Sequence, residues 1–338
     1  MQRDLGCSVR VMKKTMRVYE NVKALPAVAI GNSLPKKICT TALVFVTVLV
    51  FVTVIARATS ASAQSVPNKA DSTSASAPPT TSFGAAIQAQ NPLSPVYSLL
   101  NENSTNFRMG PLDRTQDVLL VEPVIPIRLT PGFNLITRWI TPVIWQPALA
   151  PSLGSEFGLG NITPQFFFTP AHQGNGFVWG LGGNAWLPTE TDHTLGIHKW
   201  GGGPTAVALW IQGPLLFGVL ANQTWVGSHG SSATFERIDQ MSIQPFIFYN
   251  LSAGWYVASL PIITADWTVP DHKWTVPVGA GIGRVMPLGN MNVNARLDVY
   301  DNIAFGLGDA AGITNVGDWS LKFTLHFVLP GAKAPSLF

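Results

Sequence analysis

The chain has 338 residues, of which 46% are hydrophobic and only 12% are charged. So low a charged fraction is unusual for a soluble protein of this length. Nine of the 21 basic residues, but only two of the 18 acidic ones, lie within residues 1–63. The rest of the chain therefore has a net charge of −4. The net positive charge of the full sequence comes from residues 1–63 and gives no support for nucleic-acid binding.

Residues 1–63 have the pattern of a secretory signal peptide. A basic leader is followed by an almost wholly apolar run from Ile38 to Ile55 and then by Ala61-Ser-Ala63, an A-x-A-like cleavage site. The apolar run is just long enough to span a bilayer, so a retained helical anchor is the alternative. Both cysteines, Cys7 and Cys39, lie in this segment, and the exported chain is predicted to contain no disulfide.

The segment after the cleavage site, residues 64–90, is rich in Ala, Ser, Thr, Pro and Gln and has no apolar periodicity. Such a composition predicts a disordered linker. A β-barrel domain is predicted over residues 91–330, followed by a C-terminal tail, residues 331–338. The start of the domain leaves two interpretations open, because residues 91–110 could form a first strand, near 96–108, or enter the lumen as a short plug.

From residue 117 onward, apolar and polar side chains alternate. The clearest case is Met291–Tyr300, in which Leu297 lies on the apolar face and Arg296 and Asp298 lie on the polar face. Ten residues is about the length that a tilted strand needs to cross a bilayer. Strands are predicted at 117–129, 133–145, 158–168, 177–187, 200–211, 215–226, 238–249, 255–266, 273–286, 291–300 and 318–329.

Alternation alone fits either a soluble sandwich, with its apolar face inside, or a transmembrane barrel, with that face toward lipid. Two observations favour the barrel. Short turns alternate with longer loops along the chain, and all 11 tryptophans follow residue 130, mostly near predicted strand ends, where interfacial girdles are expected. The sequence therefore predicts an all-β fold, a transmembrane antiparallel up-and-down β-barrel of about twelve strands in the outer membrane.

Nine polar side chains are directed into the lumen by this alternation and are the candidates for solute binding. They are Glu122, Arg128, Arg138, Gln165, Gln244, Arg296, Asp298, Lys322 and His326. One interpretation is a polar track that orients a solute. The other is a set of structural ion pairs in a narrow lumen, and it is favoured for most of them.

The sequence gives little support for metal binding or catalysis. His193 and His198 share a loop with Glu190 and Asp192, but such a grouping on an exposed loop is common by chance, so no metal site is predicted. Ser320 and His326 face the same side of one strand about 20 Å apart, too far for a catalytic pair. No catalytic residue, cofactor or enzymatic activity is predicted.

Several short motifs, in order along the domain, resemble a family of proteobacterial outer-membrane proteins. They are Pro142-Val-Ile144, Gly158-Leu-Gly-Asn-Ile162, Phe166-Phe-Phe168, Leu187-Pro-Thr189, Lys199-Trp-Gly201 with Gly203-Pro204, Gln212-Gly-Pro214, Gln244-Pro-Phe246 and Trp274-Thr-Val-Pro277. The family is catalogued under the MetA pathway of phenol degradation and often labelled bacterial neuromedin U. The resemblance implies a transporter-like barrel and no established substrate.

The predicted function is an outer-membrane barrel that passes or binds small hydrophobic or aromatic molecules. Its expected partners are outer-membrane lipid, small hydrophobic solutes and the barrel-assembly machinery, without nucleic acid. The alternatives are a lipase- or deacylase-type outer-membrane enzyme and a structural or adhesive barrel that acts through its loops. The barrel interpretation also predicts that Leu297→Arg is destabilising and that Arg296→Leu is tolerated far better.

Overall fold

The computed structural model describes residues 82–149, 154–172, 176–227, 237–268, 273–304 and 317–329. The predicted signal peptide, residues 64–81 of the predicted linker and the C-terminal tail lie outside these ranges. Within them, no helix is long and apolar enough to cross a membrane.

Fourteen strand segments in the described ranges form one antiparallel sheet, preceded by a helix. The elements are α1 (Ser82–Gln90), β1 (Tyr97–Met109), β2 (Arg114–Thr130), β3 (Phe133–Gln146), β4 (Glu156–Leu159), β5 (Thr163–Pro170), β6 (Phe177–Trp186), β7 (Gly201–Gln212), β8 (Leu215–Val226), β9 (Ile238–Asn250), β10 (Trp255–Ser259), β11 (Ile263–Asp266), β12 (Trp274–Leu288), β13 (Met291–Ala304) and β14 (Trp319–Leu329).

The sheet is a closed barrel of twelve strands, as the sequence predicts. Segments β4 and β5 both pair with β3 and make one interrupted strand, while β10 and β11 both pair with β9 and β12 and make another. Closure follows because β14 pairs with β13 on one side and with β1 on the other. A closed barrel leaves no strand edge whose backbone groups would lack hydrogen-bond partners in lipid.

The strand that shows the alternation most clearly has the predicted orientation. On β13, Leu297 and Val299 are 41% and 49% exposed on the outer surface, whereas Arg296 and Asp298 are buried in the lumen. The same alternation gives an outer surface rich in exposed apolar side chains on the neighbouring strands, such as Val278 and Ile282. An outer face of this kind is suited to contact with hydrocarbon.

The two ends of the barrel differ. Short connections such as Gly213-Pro214 and Gly289-Asn290 lie at one end, and both glycines have positive φ angles, +55° and +59°, which suit the tight reversals. Longer connections, including residues 187–200, lie at the other end. In barrels of this type the short turns face the periplasm. Exposed tryptophans occur near both ends, with Trp210 and Trp255 at the short-turn end and Trp145, Trp225 and Trp274 at the other.

Residues 82–90, predicted as the end of a disordered linker, instead form helix α1. Its buried residues include Ala85, Ala86 and Ala89, whose small side chains give little apolar signal in a sequence but allow a helix to pack closely against the lumen wall. The chain then turns and continues as β1. The strand interpretation of residues 96–108 is thus confirmed, and the residues just before them occupy the lumen.

Two strands predicted as continuous are interrupted. The predicted strand 158–168 breaks between β4 and β5, and 255–266 breaks between β10 and β11. At the second break Pro261 lacks the amide proton that a regular ladder needs. The amide of Leu260 donates instead to the hydroxyl of Tyr300, at 2.9 Å, so the break leaves this amide with a partner inside the barrel.

Candidate functional site

The short-turn end of the lumen is filled by an apolar cluster around α1. The three buried alanines of the helix and Leu93, just after it, pack among inward side chains of the barrel wall: Phe167, Leu209, Leu216, Leu220, Phe246, Phe248 and Tyr256. Gly180 leaves room for Leu93, because a Cβ atom at this position would lie 2.9 Å from Leu93 Cδ1. The helix is also tied to the wall by hydrogen bonds between Gln90 and Asn250.

Charged side chains form a belt across the middle of the lumen. Glu102 on β1 lies between two cations, with its carboxylate 2.8 Å from Lys322 Nζ and 3.5 Å from Arg296 Nη2. Arg296 Nε also donates to Asp298 Oδ2 at 2.6 Å. This group joins β1, β13 and β14, the strands whose mutual pairing closes the barrel.

A second ion pair continues the belt on β2 and β3. Arg138 donates to the same carboxylate oxygen of Glu122 through Nε, at 2.6 Å, and through Nη2, at 2.5 Å. Charge-assisted hydrogen bonds of this length are among the stronger polar contacts in proteins. The belt thus combines three carboxylates with three cations, and we refer to these six residues as the charged belt: Glu102, Glu122, Arg138, Arg296, Asp298 and Lys322.

The opposite wall carries uncharged polar groups. Asn222 on β8 is their centre: it accepts from Gln165 Nε2 at 3.4 Å and from the hydroxyl of Thr205, and it donates to Ser242 Oγ at 3.2 Å. These contacts link β5, β7, β8 and β9 across the lumen surface. The barrel interior therefore has one charged wall and one wall of amides and hydroxyls.

Inward glycines of β12 make room for large side chains from neighbouring strands. A Cβ atom at Gly283 would meet the hydroxyl oxygen of Tyr256 at 2.3 Å, and one at Gly281 would meet Asp298 Oδ1 at 2.2 Å. In the space left free, Tyr256 donates to Asn294 Oδ1 at 2.6 Å. The glycines of β12 thus accommodate part of the polar network.

Two cavities lie along the lumen on either side of the charged belt. The inner cavity, about 110 Å³, is bounded by the end of α1, by the belt residues Glu102, Arg138 and Arg296, and by apolar side chains. The outer cavity, about 300 Å³, extends from Lys322 toward the long-loop end. Leu260, at the break between β10 and β11, lines both cavities and narrows the lumen between them.

The structure brings most of the nine predicted lumen residues together. Glu122, Arg138, Arg296, Asp298 and Lys322 belong to the charged belt, while Gln244 and His326 line the inner cavity. Gln165 belongs to the amide wall. Arg128 is the exception, since it is exposed near the short-turn end of β2 and lines neither cavity.

Sequence reasoning missed three residues that shape the lumen. Glu102 lies in the segment for which the sequence does not distinguish a strand from a plug. If that segment is taken as a strand, Glu102 shares a face with Leu100 and Ser104 and points into the lumen. Tyr256 lies between the outward Trp255 and Val257 and could have been found in the same way. The inward position of Leu260 depends on a strand break that alternation does not reveal.

The long loop that holds two histidines is organised by Asn161. Its amide donates to the carbonyl of Leu187 at 2.8 Å and to Glu190 Oε2 at 2.5 Å, and its Oδ1 accepts from the amide of Ile197 at 2.8 Å. The other carboxylate oxygen of Glu190 lies 2.8 Å from His198 Nδ1.

The remaining candidates of that loop form a separate pair. Asp192 accepts from the amide and hydroxyl of Thr194, and these bonds lower the pKa of its carboxyl group. His193 Nδ1 lies 3.4 Å from the same carboxylate. Within the described ranges, no three metal-binding side chains are grouped closely enough to hold an ion.

Comparison with known proteins gives structural likenesses only. No protein-family model matches the sequence, and no curated protein matches it. An outer membrane channel from Pseudomonas putida F1 matches with a TM-score of 0.52 and 14% identity, over 69% of this chain and 94% of that one. The NanC porin matches with a TM-score of 0.44 and 8% identity, over 69% and 98%. Outer membrane phospholipase A from Escherichia coli matches with a TM-score of 0.40 and 15% identity, over 73% and 97%.

The closed twelve-strand barrel, its apolar outer surface and its polar lumen define the class of the protein: it has the fold of an outer-membrane β-barrel. The likeness to the Pseudomonas channel is a likeness of fold.

Proposed function

We propose that the protein is an outer-membrane channel that passes small hydrophobic or aromatic molecules, in the manner implied by its resemblance to the MetA-pathway family. The observation that carries the proposal is the pair of cavities aligned along the lumen, with the charged belt and Leu260 between them. A barrel that served only as a scaffold would need neither cavity. The fold shared with a channel from Pseudomonas putida F1 is consistent with the proposal.

The lining of the inner cavity suits a small apolar molecule. Phe246, Phe248 and Leu220 form one side of it, together with Leu260 at the constriction. Aromatic side chains provide large contact areas for a ring and favour offset or edge-to-face packing. Polar groups on the charged wall would fix the orientation of a solute, as in most small-molecule sites.

The described state of the channel is closed. Helix α1 occupies the short-turn end, and the paired charges of the belt occupy the middle of the lumen. Passage of a solute therefore requires α1 to move. The contacts that hold it include small alanine side chains, Leu93 and the hydrogen bonds between Gln90 and Asn250. In this proposal α1 gates the path at its periplasmic end.

A lipase-type enzyme has weaker support in the described ranges. His198 and His193 lie beside carboxylates in a loop, and His326 lines the inner cavity. A serine hydrolase that acts on membrane lipid needs a serine and a histidine within hydrogen-bond reach at the lipid-facing surface. None of these three histidines has that position.

Planar bilayers that contain the purified mature protein test the proposal. We expect discrete conductance steps that a single-ring aromatic compound interrupts and that change in size when Arg138, in the lumen, is replaced by Gln. The same replacement at Arg284, which lies over the ring of Trp255 at the short-turn end, should leave the steps unchanged. If neither the wild type nor a variant with a loosened α1 conducts at any voltage, the protein is not a channel.

A further inference from the structure

In two ion pairs of the charged belt the cation faces the lumen more openly than its partner carboxylate, whereas Lys322 and Glu102 are almost equally exposed, at 12% and 13%. The side chain of Arg138 is 22% exposed and that of its partner Glu122 only 1%, and Arg296 is 7% exposed against 0% for Asp298. Glu122 and Asp298 line neither cavity, whereas both arginines line the inner one. A belt that is neutral in sum therefore presents a positive surface to a solute.

The charged residues that line each cavity lead to the same conclusion. The inner cavity is lined by Arg138 and Arg296 against one carboxylate, that of Glu102, and Lys322 alone supplies charge to the lining of the outer cavity. A low-dielectric enclosure strengthens such a field, because nearby water that would screen it is scarce. An anion that enters from the long-loop end meets an attractive potential in both cavities.

The inner cavity also holds an unsatisfied polar group on its charged side. His326 Nε2 is buried and, within the described ranges, has no hydrogen-bond partner. The His326 ring is hydrogen-bonded to the backbone of Ala89, near the end of α1. Thr324, between His326 and the belt on the same strand, adds a hydroxyl that also faces the cavity. The groups on this side of the cavity that can donate charge-assisted hydrogen bonds to a carboxylate are the guanidinium groups of Arg138 and Arg296.

The opposite side of the inner cavity is apolar and limits the size of the ligand. Phe246, Phe248, Leu220 and Leu260 contribute to it, and the volume is about 110 Å³. An apolar cavity of about 150 Å³ is known to hold a benzene molecule. The inner cavity is smaller than that, so it limits the ligand to at most one ring or a short chain and excludes a lipid or an oligosaccharide.

From this arrangement we infer that the inner cavity binds small monocarboxylates that carry a single apolar ring or short chain. The carboxylate lies toward Arg138 and Arg296, and the apolar body lies against Phe246 and Phe248. The inference rests on the proposed channel and names the class of solute that the lumen selects. Neutral and cationic molecules of the same shape should therefore bind more weakly than the monocarboxylates.

Binding of benzoate and benzamide to the full mature protein in detergent micelles tests the inference by titration calorimetry. The two molecules have nearly the same shape and differ in charge. We expect benzoate to bind about tenfold more tightly, since charge-assisted hydrogen bonds are roughly twice as strong as neutral ones. Equal affinities, tighter binding of benzamide, or no saturable binding of benzoate would overturn the inference.

Two variants of the Glu122–Arg138 pair separate charge from packing. Glu122→Gln removes the recessed carboxylate and leaves Arg138 free, so benzoate should bind more tightly than to the wild type. Glu122→Gln combined with Arg138→Gln keeps the shapes but removes both charges, so the preference for benzoate should fall several-fold. Arg284→Gln is the control, and heat-dependent gel mobility shows which variants are folded. A folded double variant that keeps the full preference contradicts the assignment of Arg138.

Conductance distinguishes this inference from the proposed function. If the protein conducts but does not distinguish benzoate from benzamide, the carboxylate site is wrong and the channel stands. If benzoate binds selectively while no variant conducts, the site stands and the channel is wrong. A salt-gradient measurement adds an independent test, because a positive lumen should pass chloride in preference to potassium.

Discussion

Gln90 at the end of α1 and Asn250 at the end of β9 hold each other through both of their amide groups. Gln90 Nε2 donates to Asn250 Oδ1 at 2.8 Å, and Asn250 Nδ2 donates to Gln90 Oε1 at 3.0 Å. Both side chains are buried, and Asn250 also donates to the carbonyl of Pro214. A nine-residue helix is marginal by itself, so the position of α1 depends on its contacts with the barrel wall, among them this pair and the alanine packing.

Loosening this pair should open the channel. Gln90→Ala removes both hydrogen bonds and leaves the buried amide of Asn250 with unpaired groups, which costs about 1–3 kcal/mol in the closed state. We expect the open probability in single-channel recordings to rise about tenfold or more. Gln240→Ala, an exposed glutamine near the long-loop end of β9, is the matched control and should have no effect. An unchanged open probability in Gln90→Ala would show that α1 does not limit conduction.

The orientation of the strands can be tested by placing the same charge on the two faces. Leu297→Arg puts a guanidinium group against lipid and should cost about 2–4 kcal/mol if this position lies near the bilayer midplane. Ser320→Arg puts the group into the outer cavity, about 300 Å³ in volume, and should cost much less. Urea unfolding in lipid vesicles measures both changes. Equal costs would be inconsistent with a lipid-facing outer surface.

Replacing Arg296 should destabilise the protein far more than the alternation of the strand alone predicts. The sequence marks it as a lumen residue and so predicts that Arg296→Leu is well tolerated, but in the structure its guanidinium group contacts Asp298, Glu102 and Thr324. Replacement leaves Asp298 buried without its cation, and breaking a buried pair in this way costs about 3–5 kcal/mol. The double variant Arg296→Leu/Asp298→Leu should recover part of this loss in the same unfolding assay. If Arg296→Leu unfolds at the wild-type urea concentration, the pair has no structural role.

Gly283 is required by the position of Tyr256. In Gly283→Ala the new methyl group would lie 2.3 Å from the tyrosine hydroxyl oxygen, so Tyr256 must shift and lose its hydrogen bond to Asn294. Forced repacking of this kind costs about 1–3 kcal/mol. Gly132→Ala, where the nearest atom lies at 4.0 Å, is the control and should be close to neutral in urea unfolding. A neutral Gly283→Ala would mean that Tyr256 has another position of equal energy.

Features that depend on neighbouring residues can be predicted from this sequence, and features that depend on contacts between residues far apart in the chain cannot. The strands and their outward faces follow from local alternation, as the positions of Leu297 and Asp298 show. Partners across the lumen do not, because Glu102 and Lys322 are far apart in the chain and meet only when β1 pairs with β14. Helix α1 was missed because its alanines give no periodic signal, and the strand break at Leu260 depends on one proline and on the hydroxyl of Tyr300.

A pair of neighbouring cysteine variants tests most directly whether solutes pass through the lumen. Ser98 lines the inner cavity, whereas Leu99 is exposed on the outer surface. Both native cysteines precede the predicted cleavage site, so each mature variant should carry a single thiol. A methanethiosulfonate reagent should reduce the conductance of Ser98→Cys strongly and leave that of Leu99→Cys unchanged. An unaltered current after complete modification of Ser98→Cys would contradict a path through the inner cavity.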